Sequence, residues 1–147
     1  MIQRIQTLFL LAAAVIVLGV SALPWWQGEN FTFQYDQLFK GSEKVLDLSY
    51  LFFGALFVGV LILANIFMFK NRKLQMKLTQ LSGILLAVLL GGGYYLIGDM
   101  IDGNGLSDQG EFTFYFWLIV LSIILNALAR IYIKKDDDLV RSVDRLR

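Results

Sequence analysis

Catalysis needs side chains that exchange protons, attack carbon or phosphorus, or hold a metal, and this 147-residue chain contains neither His nor Cys. Their absence removes thiol chemistry, disulfides, haem held by His and the usual zinc sites together. The sequence has no glycine motif that would cradle a phosphate. Asp99 and Asp102 are three residues apart and could share one face of a helical extension, but surface solvation accounts for such a pair. No catalytic residue, cofactor or metal is therefore expected.

A second group of polar residues lies inside apolar sequence. Ser122, Asn126 and Arg130 are four residues apart and share a helical face. Polar side chains at membrane depth join helices or mark pathways. Arg130 is about one turn from Lys134 and can snorkel toward headgroups. Asn126 lies deeper and calls for a partner across the bundle, with Asn65, Gln80 and Ser82 at similar depth. Gly83, Ala87 and Gly91 recur every fourth residue and make a smooth face for close helix approach. Packing within the chain is the preferred reading of that face, and a second subunit is the alternative. Gly91, Gly92 and Gly93 together weaken the helix and predict a local bend.

The elements that carry these residues follow from composition. Hydrophobic residues make up 57% of the chain and charged residues 17%, outside the balance of a water-soluble domain. Charge is absent from Leu48 to Phe69, Leu78 to Gly98 and Phe112 to Ala129, and from Ile5 to Asn30 apart from Glu29. Each run supplies enough residues, at about 1.5 Å rise, to cross a hydrocarbon core of about 30 Å. The expected architecture is an all-α membrane protein, an antiparallel four-transmembrane-helix bundle forming one domain over residues 1–147. The spans fall at about 5–24, 48–69, 78–98 and 112–133, by the same length rule. Outer loops then cover 25–47 and 99–111, an inner loop 70–77, and a cytoplasmic tail 134–147.

The net charge of +1 conceals a sorting of charges by loop. With the N-terminus inside, Arg4, Lys70, Arg72, Lys73, Lys77, Arg130, Lys134, Lys135, Arg141, Arg145 and Arg147 are cytoplasmic. Only Lys40 and Lys44 are external. This is the positive-inside pattern, most dependable in the short loop between Lys70 and Lys77, and it predicts both termini in the cytoplasm. The outer face carries Glu29, Asp36, Glu43, Asp47, Asp99, Asp102, Asp108 and Glu111. A cleavable signal peptide ending near Val20-Ser21-Ala22 is the rival reading of the first span. Its single Arg, its length and the Pro24-Trp25-Trp26 stop favour a retained anchor.

Phe31-Thr32-Phe33-Gln34-Tyr35 alternates aromatic and polar residues, and Phe112-Thr113-Phe114 echoes it. Three readings stand: rings at the outer headgroup level; a short aromatic β-like segment with Gly28 and Gly41 as flanking bends; or a duplicated hairpin. In the tail, Asp136, Asp137 and Asp138 precede Arg141, Arg145 and Arg147, which suits a helix dipole and an Asp137–Arg141 ion pair. Leu139, Val140, Val143 and Leu146 would form the apolar side of a short helix, to be held by lipid or a partner.

The opening Met1-Ile2-Gln3-Arg4-Ile5-Gln6-Thr7 and the closing Leu139-Val140-Arg141-Ser142-Val143-Asp144-Arg145-Leu146-Arg147 resemble an uncharacterised family of small four-span membrane proteins of Bacteroidota, a domain of unknown function. The resemblance implies an inner-membrane protein whose cytoplasmic ends are characteristic, and it implies no activity. The layout is also loosely similar to claudin-type proteins, without the paired cysteines of their first loop, so it carries no function.

An apolar midplane of Leu, Val, Ile, Phe, Ala and Gly speaks against a transporter, and a pore would require oligomerisation. The expected role is a non-catalytic accessory or scaffold subunit that presents its cytoplasmic ends to a membrane or cytoplasmic protein. The alternatives are a lipid-interacting protein and a homo-oligomeric pore or transporter component. Candidate contacts for a partner or for anionic lipid are Arg4, Lys70, Arg72, Lys73, Arg141, Arg145 and Arg147. Membrane lipids are expected partners and nucleic acid is not.

Overall fold

A computed structural model describes residues 2–28, 31–34, 37–40, 43–47, 49–103 and 110–145. Four helices dominate it: α1 (Ile2–Ser21), α2 (Ser49–Ile66), α3 (Arg72–Gly103) and α4 (Phe114–Arg145). Between α1 and α2 lie β1 (Trp26–Gly28), β2 (Phe31–Gln34), β3 (Gln37–Lys40) and β4 (Glu43–Asp47), and β5 (Gly110–Phe112) precedes α4. Three helices, α2, α3 and α4 as far as Ser142, are long and apolar enough to cross a membrane. The apolar part of α1, Ile5–Ser21, is shorter.

The helix ends have local causes. Pro24 disfavours helical backbone at Leu23, and α1 closes through turns from Ala22 N–H to Gly19 O and Leu23 N–H to Val20 O. Trp25 folds back so that its indole N–H adds a second, shorter bond to the Val20 carbonyl at 2.8 Å, at the helix end where carbonyls lack partners within the helix. At the start of α3, the Asn71 side chain accepts from Leu74 N–H at 3.1 Å, an N-cap. Helix therefore begins at Arg72 and takes up most of the stretch read as an inner loop over 70–77. At the other end α4 continues unbroken to Arg145. The tail continues α4 as helix instead of folding as a separate piece, since no Gly or Pro interrupts 114–145.

The helices form a ring in which α1 and α3 each pack against α2 and α4. Leu18 lies on Gly59 and Leu89 reaches Gly54, while Ser122 meets Ala13 and Ser82 meets Asn126. Second contacts at Asn65–Thr79, Arg72–Asp136 and Phe9–Tyr132 move forward along one helix and backward along its neighbour, so adjacent helices run in opposite directions. Leu10, Ala14, Val17, Val58, Ile62, Leu86, Ile97, Phe116, Ile119 and Ile133 fill the centre. The outside is equally apolar: Leu8, Val15, Phe53, Phe57, Val88 and Ile124 are all more than half exposed. Such a belt would be an aggregation hazard in water and is the normal surface of a chain solvated by lipid.

The all-α expectation allowed at most a short aromatic β-like segment in the first outer loop, and two small sheets extend it. β2, β3 and β4 form an antiparallel meander that pairs Phe31 with Lys40 and Gln37 with Asp47. The aromatic alternation accordingly forms a strand over Phe31–Gln34, while Tyr35 and Gly41 lie outside the described residues. β1 and β5 pair antiparallel, with Trp26 opposite Phe112 and Gly28 opposite Gly110. This ribbon ties the two connections at that end of the ring together, and the Thr113 hydroxyl adds a bond to the Pro24 carbonyl. Beneath it, Gly93 gives the Trp25 ring room: a Cβ there would lie 3.1 Å from it. Trp25 also contacts Phe116, with ring centroids 5.8 Å apart.

A side chain at Gly110 would overlap the Gln27 carbonyl and the Trp26 ring. The variant Gly110→Val should separate β1 from β5 and cost about 1–3 kcal/mol, measured by denaturant titration in micelles with tryptophan fluorescence. An unchanged midpoint would show that the ribbon contributes little.

Candidate functional site

Polar residues collect where α2 turns into α3. The interior face of α1 starts at Gln6, that of α2 ends at Asn65, and that of α3 opens with Gln75, Thr79 and Ser82, all of them buried. The Thr79 hydroxyl donates to the Gln75 carbonyl at 2.8 Å. Its oxygen is then free to accept from Asn65 Nδ2, also at 2.8 Å. Asn126 of α4 donates through Nδ2 to the Thr79 carbonyl at 2.9 Å and lies with Oδ1 3.3 Å from the Ser82 hydroxyl. Thr79 thus links α2, α3 and α4 through one residue. Gln75 Nε2 reaches the Asn65 carbonyl at 3.5 Å. Among the described residues, Gln6 Oε1, Asn65 Oδ1 and Gln75 Oε1 accept no hydrogen bond. Buried acceptors of this kind call for a donor.

Past this layer the same end is charged. Arg72 Nε lies 2.9 Å from Asp136 Oδ2, an ion pair that fastens the start of α3 to the extension of α4. Arg141 pairs with Asp137 one turn earlier, at 2.8 Å. Arg130 donates to Gln80 Oε1 at 2.9 Å, and Lys135 sits over the Tyr132 ring, 5.4 Å from its centroid. Between α3 and α4 lies an open groove of about 530 Å³. Met76 and Ile131 give it apolar walls, Arg130, Lys134 and Arg141 supply cations, and Asp137 and Asp138 supply acids. At the opposite end of the ring, a groove of about 400 Å³ is lined in part by Trp26, Tyr94, Tyr95, Asp99, Asp102 and Glu111.

Of the residues singled out in the sequence, Gly83 and Asn126 are brought together: a Cβ on Gly83 would lie 3.1 Å from Asn126 Nδ2. Ala87 and Gly91 are exposed, and nothing lies within 4 Å of a Cβ built on Gly91. Close approach also occurs at Gly59, under Leu18 of α1, and at Gly93, under the Trp25 ring. Asn126 meets Ser82 directly and Asn65 through Thr79, while Gln80 takes Arg130. Lys70 and Lys73 are exposed near the α2–α3 turn, and Arg72 and Arg141 are engaged by acids. Arg4 and Arg145 lie within helix backbone, and Arg147 is outside the described residues.

Gln6, Gln75, Thr79 and Lys134 were not singled out. For Gln75 and Thr79 the signal is present in the spacing, since 75, 79 and 82 continue into the buried 86, 89, 93 and 97 as one interior stripe. Gln75 lies before the 78–98 span, where a polar residue reads as solvated.

The sequence profile of a family described as a domain of unknown function (DUF4293) matches residues 2–146. No curated protein and no solved structure matches the chain.

Replacing Asn126 by Ala removes the donor to the Thr79 carbonyl within the core and should cost about 1–2 kcal/mol. Replacing Arg130 by Ala touches an exposed contact and should cost less than about 0.5 kcal/mol. Denaturant unfolding of both variants in the same micelles provides the comparison, and equal costs would contradict the role given to the buried layer.

Proposed function

We propose, for a chain that belongs to the DUF4293 family of unknown function, that it is a non-catalytic membrane anchor and scaffold. In this reading it crosses the bacterial inner membrane four times, with α1 as a retained span and both ends in the cytoplasm. The ring of antiparallel helices with an apolar exterior supports the crossings. The gathering of Lys70, Arg72, Lys73, Lys134, Lys135 and Arg141 at one end supports the orientation.

The observation that carries the scaffold role is the continuation of α4. Helix runs on from Lys134 through the acidic and basic residues to Arg145, its base tied to α3 by the Arg72–Asp136 pair. Leu139 and Val140 are exposed on this extension. A rigid charged helix with an apolar spot, held at a fixed angle to the membrane, is a suitable handle for a cytoplasmic protein or a neighbouring membrane subunit. The engaged state of Arg72 and Asp136 makes it a fixed projection.

Asp136 belongs to the fold, so a test must spare it. A chain ending at Asp138, and a full chain carrying Leu139→Asp with Val140→Asp, should both insert and unfold like the parent. Both should lose the proteins that crosslink to the parent in its own membrane. An identical crosslinking pattern in parent and variants would overturn the scaffold reading.

A further inference from the structure

The groove between α3 and the base of the α4 extension has a composition that selects a ligand. Arg130, Lys134 and Arg141 all line it, and at 100° per residue they lie within about 40° of one another around α4. Arg141 is taken up by Asp137. Arg130 is held in place by Gln80, leaving the rest of its guanidinium able to donate in a planar fork. Lys134 makes no ion pair or hydrogen bond among the described residues. The three cations against Asp137 and Asp138 leave one positive charge over.

The groove also has apolar walls. Met76 and the half-exposed Ile131 line the groove, and α4 continues from Ile131 into the exposed belt at Ile124, Leu121 and Val120. The groove therefore stands where charged helix meets lipid-facing helix. An occupant must be an amphiphile with a head of single negative charge, and free phosphate would leave the apolar walls unused.

We infer that Arg130 and Lys134 bind the phosphodiester of an anionic phospholipid in this groove, with its acyl chains along Ile131 and Ile124. The inference rests on α4 spanning the membrane, and it places the lipid contact away from Arg72 and Arg141, whose charges acids already engage.

The test uses the full chain, purified in a neutral detergent and titrated separately with phosphatidylglycerol, phosphatidylcholine or inorganic phosphate. Phosphatidylglycerol should raise the thermal midpoint by about 5 °C and remain as an adduct in native mass spectra. Phosphatidylcholine and phosphate should do neither. Arg130→Gln and Lys134→Gln should each lose the adduct and at least about half the shift, while Lys135→Gln, whose ammonium lies over Tyr132 outside the groove, should keep both. The site is overturned if phosphatidylcholine or phosphate acts equally, if both groove variants respond like the parent, or if Lys135→Gln loses the response equally. Release of the parent from membranes by alkaline carbonate would instead defeat the reading of α4 as a span, so the two failures are distinguishable.

Discussion

Every helix of this protein has apolar residues on both its inner and its outer face, so burial of apolar surface cannot by itself choose which face turns inward. Leu8 and Val15 are as apolar as Leu10 and Val17, yet the first pair faces out and the second in. In lipid, that choice passes to close packing and to the few polar groups that need partners. Leu18 on Gly59 and Trp25 against Gly93 supply the packing. Thr79, with Asn65 on one side and Asn126 on the other, supplies the polar joint.

The two ends of the ring are closed by different means. At one end a backbone ribbon between Trp26–Gly28 and Gly110–Phe112 joins two connections that are far apart in sequence, over a cluster of aromatic rings. At the other, amides give way to ion pairs, and α4 continues as a charged helix. Such a polarity gradient, from the apolar centre through the buried amides to free charge, suits a helix end that meets headgroups and then water. The charged end presents its groups on continuous helix.

Much of this was legible in the sequence. The uncharged runs locate the helices to within about two turns except at the end of α4, and depth alone narrows the partner of Asn126 to Asn65, Gln80 or Ser82, of which Ser82 is the direct one. The strand at Phe31–Gln34 is visible in its period of two. Less legible were features that depend on contacts between distant segments. The pairing of β1 with β5 joins short segments without a strong strand pattern of their own. The glycines that admit close neighbours, Gly59 and Gly93, cannot be told from Ala87 and Gly91 by spacing, because what matters is which side chain lies opposite. The tail reads as a separate short helix only because charge was taken as the end of the span. Helical propensity has no such boundary, and α4 continues.

The central claim is that the charged end is cytoplasmic and the β1–β5 end external. The chain has no cysteine, so single cysteines report cleanly. With Lys73→Cys at one end and Asp102→Cys at the other, an impermeant maleimide is applied to cells whose inner membrane is intact and reached from outside. Asp102→Cys should label at once, and Lys73→Cys only after the inner membrane is permeabilised. The opposite order, or equal labelling of both before permeabilisation, would contradict the orientation and the functional reading built on it.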